Sequence, residues 1–179
     1  INAVAFARMC EESGAAYVTV HGRTRSDFYA GEADWDIIAE VKNAVKIPVV
    51  ANGDVVDTAS AEKILRHTGA DGLMIGRAAL GAPWLIGQID SFLKTGKQPE
   101  AMTAADIKSV LLKHISGLCD YYGERTALQL SRKYVCWYCK GLHDAKRFRE
   151  HYTKIGSLPE ALSAVEAYFD RLAVEITEE

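Results

Sequence analysis

The sequence predicts an α/β fold in which three parallel strands alternate with helices, followed by a segment of helices alone. Short apolar runs begin at residues 16, 47 and 70, and each is too short for a buried helix. Segments with helical spacing of apolar residues separate these runs, which is the rhythm of βα units in a parallel sheet. After residue 97 only helical spacing remains. The chain therefore combines about three βα units with a helical bundle.

The first unit is preceded by a helix. Apolar residues over 2–13 recur at helical spacing and stop at Ser13-Gly14, where glycine can adopt the left-handed backbone that ends many helices. A strand is predicted at 16–20. The loop that follows, residues 24–34, is long enough to carry function. A helix then begins at Trp35 and ends before the next strand.

The second and third units repeat this order of strand and helix. The strands are predicted at 47–51 and 70–75, and the helices at about 58–67 and 85–93. Either Asp57 or Thr58 is suited to cap the first of these helices, because its side-chain oxygen can accept a free backbone N–H.

A change of composition around Gly96 to Pro99 marks a predicted domain boundary. We expect residues 1–97 to form one domain and residues 98–179 a second one. Thr103 and Asp106 are spaced as a capping box at the start of its first helix. The helices of the second domain are predicted at 103–122, 124–140, 144–154 and 158–176. A small bundle is the economical packing for four such helices.

The composition is that of an ordinary soluble protein. Of the 179 residues, 49% are hydrophobic and 25% charged, and no apolar run approaches the ~20 residues of a membrane-spanning helix. Four cysteines without regular spacing favour reduced thiols, and we expect a cytoplasmic location. The chain opens at Ile1 inside a helical pattern, which indicates a segment cut from a longer protein.

Polar, glycine-spaced groups follow each predicted strand. They are His21-Gly22-Arg23, Asn52-Gly53-Asp54 and Gly76-Arg77. Backbone N–H groups at a glycine turn and a guanidinium are the groups that bind phosphate. Consecutive βα units ending this way resemble the last units of a TIM (β/α)8 barrel, whose final loops often bind a phosphate. A doubly wound sheet, or glycines that serve only as turns, would give a similar pattern.

A basic segment lies in the predicted helical domain. Residues 124–154 contain eight lysines or arginines against three acidic residues. Aromatic residues lie between Arg125, Arg132, Lys133 and Lys140, an arrangement that suits RNA phosphates and stacked bases or simply a solvated helix face. Cys136 and Cys139 have C-x-x-C spacing, but no second pair accompanies them, so we predict packed thiols and no metal.

Taken together, these motifs closely resemble the tRNA-dihydrouridine synthases. The resemblance rests on an ordered set of segments that covers nearly the whole chain. These segments are His21 to Arg25, Tyr29 to Trp35, Ile47 to Asp54, Thr68 to Ala79, Pro83-Trp84 and Arg132 to Tyr138.

The resemblance implies an FMN-dependent oxidoreductase with a barrel domain and a helical tRNA-binding domain. Such an enzyme reduces uridine to 5,6-dihydrouridine in tRNA and uses NADPH to recharge the flavin. The residues implied at the FMN site are His21, Arg23, Asn52, Gly53, Asp54, Gly76 and Arg77. The residues expected to contact tRNA are Arg25, Arg125, Arg132, Lys133, Tyr134 and Trp137.

The chain departs from the family in lacking the segment that carries the catalytic cysteine. Cys10 lies in the first helix and the other three cysteines lie in the helical domain, so none matches that motif. We therefore expect only three of the eight barrel strands, no turnover by this chain alone, and self-association through open sheet edges. Two alternatives remain, a dihydroorotate-dehydrogenase-like barrel that binds FMN or another phosphate, and a non-catalytic RNA-binding module.

Overall fold

The computed structural model of the chain describes residues 2–175, and the side chains of residues 2–173. The described residues divide into two compact units. The first contains residues 2–79 and 83–99, and the second contains residues 80–82 and 100–175.

The first unit is a three-stranded parallel sheet with helices. Its elements are α1 (Ala3–Glu12), β1 (Val18–His21), α2 (Trp35–Ala44), β2 (Val49–Asn52), α3 (Thr58–Thr68), β3 (Gly72–Met74) and α4 (Trp84–Thr95). The strand order is β1-β2-β3, and both neighbouring pairs are parallel. The predicted parallel α/β arrangement is confirmed. Because successive parallel strands require a crossover, a helix follows each strand.

The strands lie slightly later in the sequence than predicted. β1 begins at Val18, whose N–H donates to Pro48 O at 3.0 Å, and β2 begins at Val49 because Pro48 has no N–H to donate. The pairing extends to His21 opposite Asn52. Both of these residues, expected just beyond the strands, are therefore the last residues of β1 and β2.

Helices cover one face of the sheet. Ile38 and Val41 of α2 and Ile64 of α3 are fully buried with Val49 and Ala51 of β2. Side chains alternate along a strand, so the intervening residues point to the opposite face. Thr19 and His21 on β1 and Met74 on β3 are exposed there. The helix-covered face supplies the core, and the other face is left open.

The elements that the structure describes in the second unit are helices. They are α5 (Ala104–Tyr122), α6 (Glu124–Tyr138), α7 (Ala145–Tyr152) and α8 (Leu158–Glu175). The Thr103 and Asp106 capping box at the start of α5 is confirmed, with both reciprocal hydrogen bonds present. The core of the unit contains Leu111, Ile115, Val135, Val165 and Phe169, all fully buried.

Two helices of the second unit are shorter than predicted. α6 ends at Tyr138, where the sequence predicted Lys140, and Gly141 then adopts a left-handed backbone with φ of 84°. α7 ends two residues before the predicted Lys154, because a tight turn carries the chain towards α8. Ile176, the last residue predicted for α8, lies outside the described residues.

Candidate functional site

The carboxyl ends of the three strands lie side by side and form one edge of the sheet. His21 pairs with Asn52, and Asn52 pairs with Met74. His21 Nδ1 lies 3.1 Å from Asn52 O, and Asn52 Nδ2 donates to Met74 O at 3.0 Å. Because a carbonyl can only accept, the Nδ1 atom of His21 carries a proton, and in the neutral ring Nε2 is the acceptor. The three strand ends are thus linked by side chains as well as by the sheet.

Gly53 occupies a position that only glycine tolerates. Its φ is 138°, and a Cβ placed there would lie 2.6 Å from the Cβ of Ala33. Trp35 Nε1 also donates to Gly53 O at 3.2 Å. The loop that precedes α2 therefore packs directly against the turn that follows β2.

Asp54 is the centre of a charged network. Arg23 donates two parallel hydrogen bonds to it, NH1 to Oδ1 at 2.9 Å and NH2 to Oδ2 at 2.8 Å, and the N–H of Ala33 donates to Oδ2 at 2.7 Å. The Arg23 hydrogen bonds are the main cause that holds the pKa of Asp54 below its ordinary value of 3.8. Asp54 has a left-handed backbone with φ of 57°. It is therefore an ionised carboxylate in a fixed position.

Arg77 is the more accessible of the two arginines in this network. Its NH2 lies 3.3 Å from Asp54 Oδ1, and its guanidinium carbon lies 4.2 Å from the centre of the Tyr29 ring. Its side chain is 49% exposed, whereas that of Arg23 is 3% exposed. A Cβ added to the preceding Gly76 would meet no atom within 4 Å. The Arg77 guanidinium is thus oriented by Asp54 and Tyr29 while half of its side chain stays exposed.

A cleft of about 800 Å³ opens beside this network. Its walls come from the 24–34 loop, the start of α2, and α3. Arg23, Asp54 and Arg77 line it together with Tyr29, Trp35 and Lys63. The structure thus brings three of the predicted cofactor residues to one cleft and places His21, Asn52 and Gly53 along the adjoining strand ends.

The residues predicted to contact tRNA differ in their surroundings. Arg25 lies exposed in the 24–34 loop of the first unit, whereas the other five lie on α6 in the second unit. Arg125 and Lys133 are exposed. Arg132 is half-buried, donates to Ile155 O at 3.1 Å, and has a buried Nε without a hydrogen-bond partner among the described residues.

Aromatic side chains pack around the middle of α6. Tyr134 contacts Trp137 edge-on with ring centres 5.4 Å apart, and it lies 4.5 Å from the ring of His114 on α5. Lys133 Nζ lies 4.7 Å from the centre of the Trp137 ring. Burial lowers the pKa of His114, which favours its neutral form. Tyr134 and Trp137 thus belong to an aromatic cluster that is partly exposed.

The site contains residues that the sequence analysis did not assign. Tyr29 stacks on Arg77, and Trp35 bonds to Gly53. Tyr29 lies in the long loop after β1 and Trp35 begins the helix that follows it, and this position was the available signal. Their partners become evident only when the loop is folded onto the turn after β2.

The four cysteines are free thiols in the structure. Cys139 is fully buried, and burial raises its pKa to about 12, so its thiol stays protonated. Among the described residues no group of three or more histidine, cysteine, aspartate or glutamate side chains is placed to hold a metal ion. In the same part of the chain, no helix has the length and apolar character needed to cross a membrane.

Comparison with known proteins gives a consistent family. A family model described as "Dihydrouridine synthase (Dus)" matches residues 1–173. A "Probable tRNA-dihydrouridine synthase" of Rickettsia conorii is 48% identical over 148 residues, which are 83% of this chain and 45% of that relative. The "tRNA-dihydrouridine synthase B" of Pseudomonas aeruginosa is 40% identical over 168 residues, 94% of this chain and 51% of that relative.

The relative with that name from Serratia marcescens is 40% identical over 179 residues, 99% of this chain and 54% of the relative. The chain therefore spans about half the length of the curated relatives it matches. The matched family model covers nearly the whole sequence, and the ordered motifs lie within it. This chain belongs to the dihydrouridine synthase family.

Proposed function

We propose that this chain is the part of a tRNA-dihydrouridine synthase that binds the phosphate end of FMN and holds tRNA. The whole enzyme would reduce uridine to 5,6-dihydrouridine in tRNA, with NADPH as reductant, in the cytoplasm. The observation that carries this proposal is the half-exposed Arg77 side chain, which lines the cleft and contacts Asp54 of the Asn52-Gly53-Asp54 turn. The preceding Gly76 leaves the backbone there unobstructed. The family membership and the names of the relatives support the reaction.

The residues of this edge fit a phosphate group. Arg77 can donate to two phosphate oxygens at once, and Gly76 leaves the backbone open to a close approach. Asp54 is already neutralised by the bidentate Arg23, so the net charge of the network is positive. In this proposal Asn52, Gly53, Asp54, Gly76 and Arg77 line the phosphate and ribityl end, with the Arg77 guanidinium and the backbone at Gly76 on the phosphate itself.

His21 is the residue proposed to face the flavin ring system. Its Nδ1 proton is committed to Asn52 O, which fixes the ring orientation and leaves Nε2 for a ligand. FMN supplies the two-electron chemistry when bound, and the protein residues bind and orient it. Arg23 borders the cleft with a side chain that is only 3% exposed, and its proposed role is to hold Asp54.

We propose that the chain does not turn over by itself. Cys10 is on α1 of the first unit, outside the strands that carry the site residues, and Cys119 and Cys136 belong to α5 and α6 of the second unit. Cys139 is a buried thiol, and none of the four cysteines lies in a motif that matches the family's catalytic cysteine. The catalytic acid would come from the half of the relatives that this chain does not match.

The first domain, residues 1–97, is proposed as the last three βα units of a TIM barrel. In the described residues β1 and β3 each pair with β2 alone, so both have an unpaired edge. Such edges favour pairing with another chain. We expect the chain to self-associate in light scattering, and a monodisperse monomer would contradict this expectation.

The second domain, residues 98–179, is proposed to hold tRNA through the basic side of α6. Arg125 and Lys133 are the exposed cations there, and both suit phosphate contacts. A double Arg125→Ala, Lys133→Ala variant should weaken the tRNA complex in a mobility-shift assay and reduce the salt slope by about 2, one unit for each lost phosphate contact. Lys113→Ala, which removes an exposed lysine from α5, is the matched control. Equal affinities for the double variant and the control would contradict this assignment.

The FMN proposal is tested by comparing FMN with riboflavin, which lacks the phosphate. Quenching of flavin fluorescence by the wild-type chain should give a lower Kd for FMN, and Arg77→Ala should remove most of that preference. Arg66→Ala removes an exposed arginine of α3 and should preserve it. Equal Kd values for FMN and riboflavin with the wild-type chain would refute the proposed site.

A further inference from the structure

The Arg23 side chain is enclosed by the residues it organises. It is 3% exposed and makes two hydrogen bonds to Asp54, one to Ala30 O at 3.2 Å and one to Gly31 O at 2.7 Å. Four of the five guanidinium N–H groups are therefore committed. With so little of its surface exposed at the cleft, this side chain acts on a ligand mainly through its neighbours.

Two kinds of neighbour are held in this way. The first is the end of the 24–34 loop, because Arg23 bonds to two of its carbonyl groups and Asp54 accepts from Ala33 N. The second is Asp54 itself, whose carboxylate lies between Arg23 and Arg77. The contact of Asp54 with Arg23 is bidentate and short, whereas its contact with Arg77 is a single one at 3.3 Å.

The Asp54 carboxylate pairs much more closely with Arg23 than with Arg77. Arg23 satisfies the Asp54 carboxylate on both oxygens, so Arg77 is held only weakly and keeps a half-exposed guanidinium. Without Arg23, the carboxylate would have Arg77 as its only cationic partner within this network. Removal of one partner from an ion pair leaves the other charge to find compensation nearby.

We propose that Arg23 is a positioning residue that binds Asp54 and thereby leaves the Arg77 guanidinium available for the phosphate of the ligand. This inference rests on the proposed phosphate site and adds to it a residue that does not touch the ligand. The Tyr29 ring also contacts the Arg77 guanidinium, at 4.2 Å, and belongs to the loop that Arg23 fastens. One buried arginine thus acts on the site by two connected routes.

The test uses the ratio of riboflavin Kd to FMN Kd, which isolates the phosphate contribution. Arg23→Ala should lower this ratio about 10-fold, the effect of weakening one charge-assisted contact. Adding Asp54→Asn to Arg23→Ala removes the competing carboxylate and should raise the ratio again. Arg66→Ala, at an exposed arginine of α3, is the control and should leave the ratio unchanged.

Two outcomes would overturn the inference. In the first, Arg23→Ala leaves the ratio at the wild-type value. In the second, the ratio falls in Arg23→Ala and stays equally low in the double variant, which would mean that Arg23 does not act through Asp54. A double-variant cycle of this kind measures the coupling of the two residues.

A second measurement keeps this inference separate from the FMN proposal. The carboxyl ¹³C resonance of Asp54 reports its titration without any ligand. Arg23→Ala should raise the pKa of Asp54, because the Arg23 hydrogen bonds are the main cause of its lowering.

Trypsin should also cleave the Arg23→Ala variant after Arg25 faster than it cleaves the wild-type chain, because Arg25 lies in the loop that Arg23 fastens. If the wild-type chain does not prefer FMN to riboflavin, the site proposal fails, and the inference about Arg23 is then decided by these two readouts. An unchanged Asp54 pKa and an unchanged cleavage rate would overturn it.

Arg23→Lys carries the same test if Arg23→Ala does not fold. Lysine keeps the positive charge but lacks the planar fork that makes two parallel hydrogen bonds. The Asp54 pKa should rise by less than in the alanine variant, and the loop should be cleaved faster than in the wild type. A lysine variant identical to the wild type in both measurements would also contradict the inference.

Discussion

Replacing Gly22 by alanine tests whether the 24–34 loop is seated on the end of β1. Gly22 is buried, and an added Cβ would lie 2.5 Å from the backbone oxygen of Asp34 and 2.9 Å from its nitrogen. Asp34 N donates to Gly22 O at 2.6 Å, and the Asp34 side chain caps α2 by accepting from Asp36 N and Ile37 N. The extra methyl group therefore pushes directly on the residue that begins α2.

The expected cost follows from these contacts. An ordinary contact begins at 3.4 Å, so Asp34 must retreat by 0.9 Å from its 2.5 Å position. Overpacking of this kind costs about 1–3 kcal/mol, and loss of the Asp34 to Gly22 hydrogen bond adds about 0.5–1.5 kcal/mol. The lower entropy of the unfolded alanine chain offsets about 0.4–1 kcal/mol. We expect Gly22→Ala to lower the free energy of unfolding by about 2–3 kcal/mol.

Urea unfolding followed by circular dichroism measures this change, with Gly76→Ala as the matched control. A Cβ at Gly76 meets no atom within 4 Å, so the same substitution there should change stability by less than about 0.5 kcal/mol. The reasoning is refuted if the Gly22 variant is as stable as the Gly76 variant.

Three further predictions concern pH, thiol chemistry and helix capping. Folding lowers the pKa of Asp54, so its ionised carboxylate stabilises the fold above about pH 4, and this stabilisation is lost as the pH falls through the folded-state pKa. In a plot of unfolding free energy against pH, Asp54→Asn should therefore reduce the slope on the acidic side. An unchanged slope would contradict the prediction. Cys139, with a pKa of about 12, should not react with a thiol reagent at pH 8 until urea is added. Mass spectrometry detects the labelled cysteine, and labelling of Cys139 in the native chain would contradict the structure. Thr103→Ala should lower the free energy of unfolding by about 1 kcal/mol, because it removes the capping box of α5. Thr126→Ala, at an exposed position of α6, is the control and should lower it by less. Similar urea midpoints for the two variants would contradict the stabilising role of the cap.

Much of the first unit could be predicted because its pattern is local. Short apolar runs separated by helical periods favour parallel pairing, and the structure has that pairing. The exact strand limits depend on which backbone groups meet across the sheet. Pro48 cannot donate at the start of β2, and Asp71 receives the N–H of Val49 through its side chain, so β3 begins later than the apolar run at Ala70.

The residue types at the candidate site could be predicted from the sequence, but the hydrogen-bond and ion-pair partners of these residues could not. Parallel strands bring their carboxyl ends together, which explains why His21, Asn52 and Arg77 could be grouped from the sequence. Burial of individual arginines could not be predicted in this way. Arg23 is enclosed because a loop eight residues later folds back onto it. Arg132 is turned towards Ile155 because α7 returns the chain to α6, a contact that helical spacing alone does not reveal.

The central claim is that the open space at Gly76 beside Arg77 receives the phosphate of FMN. The most direct measurement is the ³¹P resonance of FMN during titration with the wild-type chain and with Gly76→Val. A Cβ at this position meets no atom within 4 Å, so we expect the variant to fold, and the valine side chain would extend into the space that we assign to the phosphate. The account predicts that the resonance shifts and broadens with the wild-type chain and that it does so far less with Gly76→Val. A resonance unaffected by the wild-type chain, or affected equally by both proteins, would contradict the account.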